Sequence, residues 1–412
     1  MPAPHERHGQ ALVSERYHAR IVRPVSGPDI ENGTVVVEGD TVVYVGTRAA
    51  APPGHDADLG DVILGPGLVN AHTHLDLTVL RGRFQELNFF DWIRALIAAR
   101  AALTPAELLE SARAGIREGL CAGITTFADT APNDAPFEAM RELGVRGIAY
   151  REVFGPDPKQ CGESMAGLRD AVSAMRARET ALVRSGVSPH APYSVSDDLF
   201  AAVAVFANEQ RLPLATHTAE SVDESHLIAN GRGAFADFLR GRGIAVEPRG
   251  RTPIAALERN GVLGAHTLLI HCIRCDDHDI ATIAKHRCGV ATCPVSNSML
   301  GHGAARVQAM LIESVRLGVG TDSMASNERM DVLAEARLAL GARSTERAAW
   351  ELATLGGAQA LRMEAEIGTL EAGKQADLAA FSFGASPESP TRAEFVAVAG
   401  AALVRGGKIQ GG

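Results

Sequence analysis

Pro66-Gly67-Leu68-Val69-Asn70-Ala71-His72-Thr73-His74-Leu75-Asp76 is the stretch from which the rest of the chain can be read. A short apolar run delivers the backbone into two histidines one residue apart, and in an extended chain residues i and i+2 point to the same side. Both imidazoles can therefore reach one metal ion. A lone His-x-His is weak evidence, because histidine is more often a solvated or core residue than a ligand. Its meaning depends on what the chain sets beside it.

Toward the N-terminus, residues 19–22, 33–37 and 41–45 read as short strands, with a hairpin connection at Glu38-Gly39-Asp40. A β-rich pattern returns at residues 377–381, 395–399 and 402–404, so both chain ends are expected to build one small β-sandwich domain. Between them the pattern changes to short apolar strands alternating with amphipathic helices. Eight strand candidates lie at 68–71, 123–128, 147–153, 182–187, 213–216, 267–271, 289–292 and 315–320, which predicts a (β/α)8 TIM-type barrel of the α/β class. Thr104-Pro105-Ala106-Glu107 carries the Thr, Pro and Glu of a capping box, and Ser196 stands ready to cap another helix. The expected division is 1–60 and 366–412 for the β domain and 61–365 for the barrel.

In such a barrel the reactive side chains stand where strands end. The first strand ends in His72 and His74, the fourth runs into Ser188-Pro189-His190, the fifth ends Thr216-His217-Thr218-Ala219-Glu220, the sixth ends at His271, and the eighth at Thr321-Asp322-Ser323. His72, His74, His217 and Asp322 make a metal shell of three imidazoles and one carboxylate. That donor set suits one divalent ion, Zn2+ ahead of Fe2+, with a position left for water.

The 412 residues are 46% hydrophobic and 22% charged, which fits a soluble globular protein. A net charge of −9 offers no basic face for a phosphate backbone, so nucleic acid is not an expected partner. Met1 to Gln10 is polar and no run is long enough for a membrane span, so a cytoplasmic protein without membrane partners is expected. Six scattered cysteines read as free thiols. Cys272-Ile273-Arg274-Cys275 has ligand-like spacing, which keeps open a zinc- or ligand-binding protein without catalysis, but Cys288 and Cys293 are too widely spaced for a common ribbon. A cytidine-type zinc deaminase needs a Pro-Cys-x-x-Cys that the chain lacks.

The stretches from Pro66 to Asp76, Ser188 to Tyr193, His217 to Glu220, His271-Cys272, Cys293-Pro294-Val295-Ser296-Asn297, Gly320 to Ser323 and Gly368 to Leu378 together resemble the amidohydrolase superfamily. Within it they are similar to the branch of purine-type deaminases and triazine chlorohydrolases. The resemblance implies a hydrolase that deaminates a cyclic amidine, hydroxide generated at the metal attacking the ring carbon and ammonia leaving. It implies a single metal, since no lysine stands at the end of strand four to bridge two. It implies catalytic roles for Glu220 as proton shuttle to the ring, His271 as the group orienting the water, and Asp322 as the group taking its proton. His190 would hydrogen-bond another edge of the ring.

For the substrate, residues 77–83 and 87–93 resemble the loop covering the nucleoside in methylthioadenosine/adenosylhomocysteine deaminases, with Trp92 and Phe90 to pack on it and Arg81 or Asp91 to meet its polar groups. Residues 231–251 and Leu300-Gly301-His302-Gly303 resemble aminodeoxyfutalosine deaminases. A small-molecule 6-aminopurine nucleoside is thus the expected substrate, aminodeoxyfutalosine slightly ahead of methylthioadenosine, adenosylhomocysteine or adenosine. Guanine deamination and triazine dechlorination are the alternatives, and a homodimer is the assembly allowed for.

Overall fold

The computed structural model describes residues 14–84, 88–382 and 390–410. Met1 to Gln10, Leu87 and the chain's last two residues, all used in the reading above, lie outside the described residues.

Eight parallel strands follow one another around a curled sheet: Leu68–His74, Ile124–Ala131, Arg146–Val153, Val183–Pro189, Leu214–Thr218, Thr267–His271, Gly289–Thr292 and Arg316–Val319. A ninth, two-residue strand, Asp322–Ser323, pairs with the first, Asp322 opposite Thr73 and Ser323 opposite His74. The sheet thereby curls back on its own first strand, in the manner of a TIM-type barrel. The expected strands all form, with bounds that differ by at most a few residues. The strand expected through residue 320 instead stops at Val319, and the chain steps across Gly320-Thr321 before pairing again.

The first strand shows why these segments read as apolar runs. Six of its seven residues are buried, because a parallel strand is covered on both faces. Val69 and Ala71 join an inner cluster with Ala128, Ile148, Ala215, Ile270 and Ala291, whereas Leu68 packs into the outer layer with Phe127, Ile116 and Leu120. Its ladder with the next strand slips between Asn70 and Thr73, and such a slip re-aims the residues beyond it. The anticipated capping box forms at Thr104 and Glu107 of helix Pro105–Cys121, and the Ser196 side chain caps helix Asp197–Gln210 by accepting from the Leu199 amide.

A second sheet takes strands from both chain ends. Glu15–Val22, Ile30–Glu38 and Thr41–Thr47 lie on one side and Leu378–Ser382, Ala393–Val398, Ala401–Arg405 and Lys408–Ile409 on the other, joined where Leu378–Ser382 runs antiparallel to Val62–Pro66. The boundary expected at residue 61 therefore moves: Val62–Pro66 belongs to this sheet, and the change of sheet comes at Gly67. There a Cβ would lie 2.2 Å from the Thr125 hydroxyl oxygen, so only glycine lets the chain pass. The buried Arg146, at the start of the third barrel strand, donates to both oxygens of Asp377 (2.7 and 3.0 Å) and locks the C-terminal return against the barrel. Among the described residues no helix is long and apolar enough to cross a membrane.

Candidate metal and catalytic site

His72, His74, His217 and Asp322 converge at the ends of the first, fifth and eighth strands. His74 Nδ1 donates to the Thr130 carbonyl (2.7 Å) and His217 Nδ1 to the His190 carbonyl (3.0 Å), which fixes both rings with their Nε2 lone pairs inward. Those two Nε2 atoms stand 3.2 Å apart, and Asp322 Oδ1 lies 3.4 Å from His72 Nε2 and 3.6 Å from His74 Nε2. Burial lowers the pKa of all three histidines, that of His74 to about 4, so the rings are neutral, as metal ligation requires. His72 is fully buried and, among the described residues, neither of its nitrogens makes a well-formed hydrogen bond, Asp322 being the carboxylate beside it. Converging lone pairs and an unpartnered buried imidazole are unfavourable until a cation sits among them, so the donor set fits a divalent metal ion.

Strain accompanies this arrangement. Ala219, His271, Cys272 and Asp322 all adopt positive φ, between 50° and 72°, a region costly for non-glycine residues and concentrated at functional sites. Hydrogen bonds hold the strained turns. Glu224 accepts from the amides of Ala219 (2.9 Å) and Glu220 (2.8 Å), and Asp322 Oδ2 accepts from the Ser296 hydroxyl (2.5 Å).

Glu220 is buried beside this cluster with its Oε1 3.6 Å from His271 Nε2 and 3.6 Å from His302 Nε2. Burial, then the charges of Asp322 and Glu224, push its carboxyl well above the ordinary range, which favours the protonated form. His271 Nδ1 donates to Asn297 Oδ1 (2.9 Å), which orients the ring. His190 makes its Nδ1 contact with Ser194 Oγ (2.7 Å) and burial lowers its pKa to about 3, leaving a neutral Nε2 toward the cleft.

One cleft brings together His74, His217, Glu220, His271, Asp322 and His190 with an apolar wall that includes Phe89, Trp92, Leu96, Tyr193 and Leu300. Of the residues expected at the substrate, Trp92 reaches it and Arg81, Asp91 and Phe90 do not. Arg81 turns outward to pair with Glu118. Asp91 is exposed, its amide and carboxylate both bonded to the capping Asn88. Phe90 packs on Phe235 and Phe238. Arg100, Glu152 and His302 were not anticipated. Glu152 ends the third strand, so the strand-end rule could have found it, and His302 lies within a quoted motif; Arg100, on helix Phe89–Ala101, gives no sequence signal. The six cysteines are all free, and the thiol of Cys272 is pushed up by its hydrogen bond with Cys275 and by burial.

Residues 63–411 match the amidohydrolase family. The 5-methylthioadenosine/S-adenosylhomocysteine deaminase of Symbiobacterium thermophilum is 34% identical over 376 residues, covering 87% of this chain and 82% of that one. Among solved structures, an adenosine deaminase from Xanthomonas campestris with bound zinc superposes with a TM-score of 0.84 at 26% identity, over 97% of this chain and 94% of that one. The aminofutalosine deaminase of Helicobacter pylori, in complex with methylthio-coformycin, also reaches 0.84, over 95% and 100% of the two chains, and at 20% identity it is a likeness of fold.

Proposed function

The chain belongs to the amidohydrolase family, and from that premise we propose that it is a zinc-dependent hydrolytic deaminase of a 6-aminopurine nucleoside, working on a small molecule in the cytoplasm. The observation that carries this reading is the placement of a buried carboxyl with a raised pKa, Glu220, in one cleft with His74, His217 and Asp322 of the candidate metal cluster. Metal-binding histidines alone would fit many hydrolases. A buried carboxyl with a raised pKa next to them suits a substrate whose ring nitrogen must be protonated before water can attack.

When bound, a divalent metal in such a site supplies a nucleophilic water near neutral pH. The residues do the rest. Asp322 takes a proton from the attacking water and His271 hydrogen-bonds the water and the oxygen it becomes. Glu220 donates its proton to the ring nitrogen next to the amino-bearing carbon, recovers one from the attacking water and passes it to the leaving ammonia, and the proton taken by Asp322 restores Glu220; water and aminopurine enter, oxo-purine and ammonia leave. His190, through Nε2, hydrogen-bonds another edge of the ring, and Trp92 packs on the nucleoside.

The relatives named above make methylthioadenosine and adenosylhomocysteine the first substrates to try, with aminodeoxyfutalosine and adenosine beside them and guanine as the alternative base. The test is ammonia release from these five with the zinc-loaded protein, run in parallel on Glu220→Gln. The variant should keep its metal and lose turnover by about 10²- to 10⁴-fold. No release from any of the five would refute the reading, and near-normal turnover by the variant would remove Glu220 from it.

A further inference from the structure

Glu152 is a buried carboxylate with nothing to do in the chemistry above. Its side chain is 1% exposed, it lines the catalytic cleft, and neither of its oxygens has a hydrogen-bond partner among the described residues. Leaving a buried charged group unsatisfied is expensive, and native structures do so mainly where something else completes the bonding. Arg100 faces it from helix Phe89–Ala101, its NH2 3.7 Å from Glu152 Oε2 and its Nε 3.4 Å from Asp76 Oδ2. That guanidinium stands too far for a hydrogen bond, and its NH2 is itself unpartnered. It supplies a countercharge to Glu152 while leaving both carboxylate oxygens free to accept.

Glu152 Oε1 is 4.0 Å from His190 Nε2, and its donor atom lies within 4.8 Å of those of both His190 and His217. The carboxylate thus stands beside the residue assigned above to an edge of the ring. A substrate group that meets Glu152 is one next to the ring edge held by His190. Burial pushes the Glu152 carboxyl up to about 7, so its ionised form, which only accepts, is present at and above neutral pH, and its two oxygens match two adjacent donors rather than one.

We propose that Glu152 holds the two neighbouring hydroxyls of the substrate's sugar, making the vicinal diol of a ribonucleoside a specificity determinant of this enzyme. Arg100 is the positioning residue that keeps the carboxylate in place. The inference rests on the nucleoside-deaminase reading and names the part of the substrate that reading leaves open.

The test measures kcat/KM for adenosine and 2′,3′-dideoxyadenosine, which share the base and differ in the diol, in the wild type, Glu152→Gln and Glu152→Ala. The wild type should favour adenosine by about 10- to 100-fold, the range set by hydrogen bonds to a charged group. Both variants should narrow that ratio to within about threefold. Equal rates for the two nucleosides in the wild type would overturn the inference while leaving deamination intact, and an unchanged ratio in the variants would do the same. Metal analysis guards against a different role: a second metal equivalent in the wild type that Glu152→Gln loses would assign the carboxylate to a cation and overturn the proposal. No ammonia from either nucleoside, nor from the other substrates above, would overturn both readings together.

Discussion

Gly320→Ala is the substitution through which the assembly of the metal site can be tested away from any ligand. Gly320 lies in the step between the two pieces of the eighth strand, pressed against the first. A Cβ there would meet the backbone nitrogen and oxygen of His72 at 2.7 Å and its Cβ at 2.8 Å. This is about 0.7 Å short of an ordinary 3.4 Å contact. The atoms it meets are mainly backbone, so no rotamer change relieves the clash; either the first strand or the Thr321-Asp322 turn must move. Overpacking of this kind costs about 1–3 kcal/mol. Its larger effect falls on the ligands, since His72 and Asp322 sit on the two segments forced apart, and disturbing what orients a ligand weakens metal affinity by about 10- to 100-fold. Competition of the zinc-loaded protein with a fluorescent chelator measures this, with denaturant unfolding run in parallel. Gly167→Ala, in helix Cys161–Arg176 where an added methyl meets nothing within 4 Å, is the matched control and should keep wild-type affinity. Unaltered zinc affinity in Gly320→Ala would refute the argument that the closeness of these two strands builds the site.

Two further outcomes follow from the same geometry. The proposed acid Glu220 has a raised pKa that owes part of its shift to the charge of Glu224, so in its proposed role kcat/KM should fall as pH rises through that pKa; Glu224→Gln removes a negative neighbour, lowers the Glu220 pKa and should move this alkaline limb to lower pH, and a limb that stays or moves upward would contradict the assignment. Asp377→Ala leaves the Arg146 guanidinium buried without its carboxylate, and denaturant unfolding should show a loss of about 3–5 kcal/mol, whereas a loss below about 1 kcal/mol would show that the pair does not secure the C-terminal return.

The barrel was legible because burial on both faces writes each parallel strand as an apolar run, and the convergence of the candidate metal ligands because a strand end converts sequence position into spatial position. His72 and Asp322 are separated by most of the chain, yet both could be named from where their strands stop. Side chains that enter the cleft from helices carry no such marker. A helix turns about 100° per residue, so Trp92 facing the cleft sends its neighbour Asp91 to solvent, and Phe89, Leu96 and Arg100, seven and then four residues apart, come round to the same face in a way that can be read only once the helix ends are known. Arg81 follows a 3-10 turn, Leu75–Leu80, whose register the sequence does not set, and the turn aims it at Glu118. Gly67, which looks like any turn glycine, marks the change of sheet only once Thr125 is seen against it.

The most direct test of the central claim is product analysis after the zinc-loaded protein converts methylthioadenosine or adenosine in water labelled with heavy oxygen. The account predicts one ammonia released per nucleoside and one labelled oxygen at the ring carbon that carried the amino group, with the sugar intact. An unaltered purine, or release of free base in place of ammonia, would contradict it.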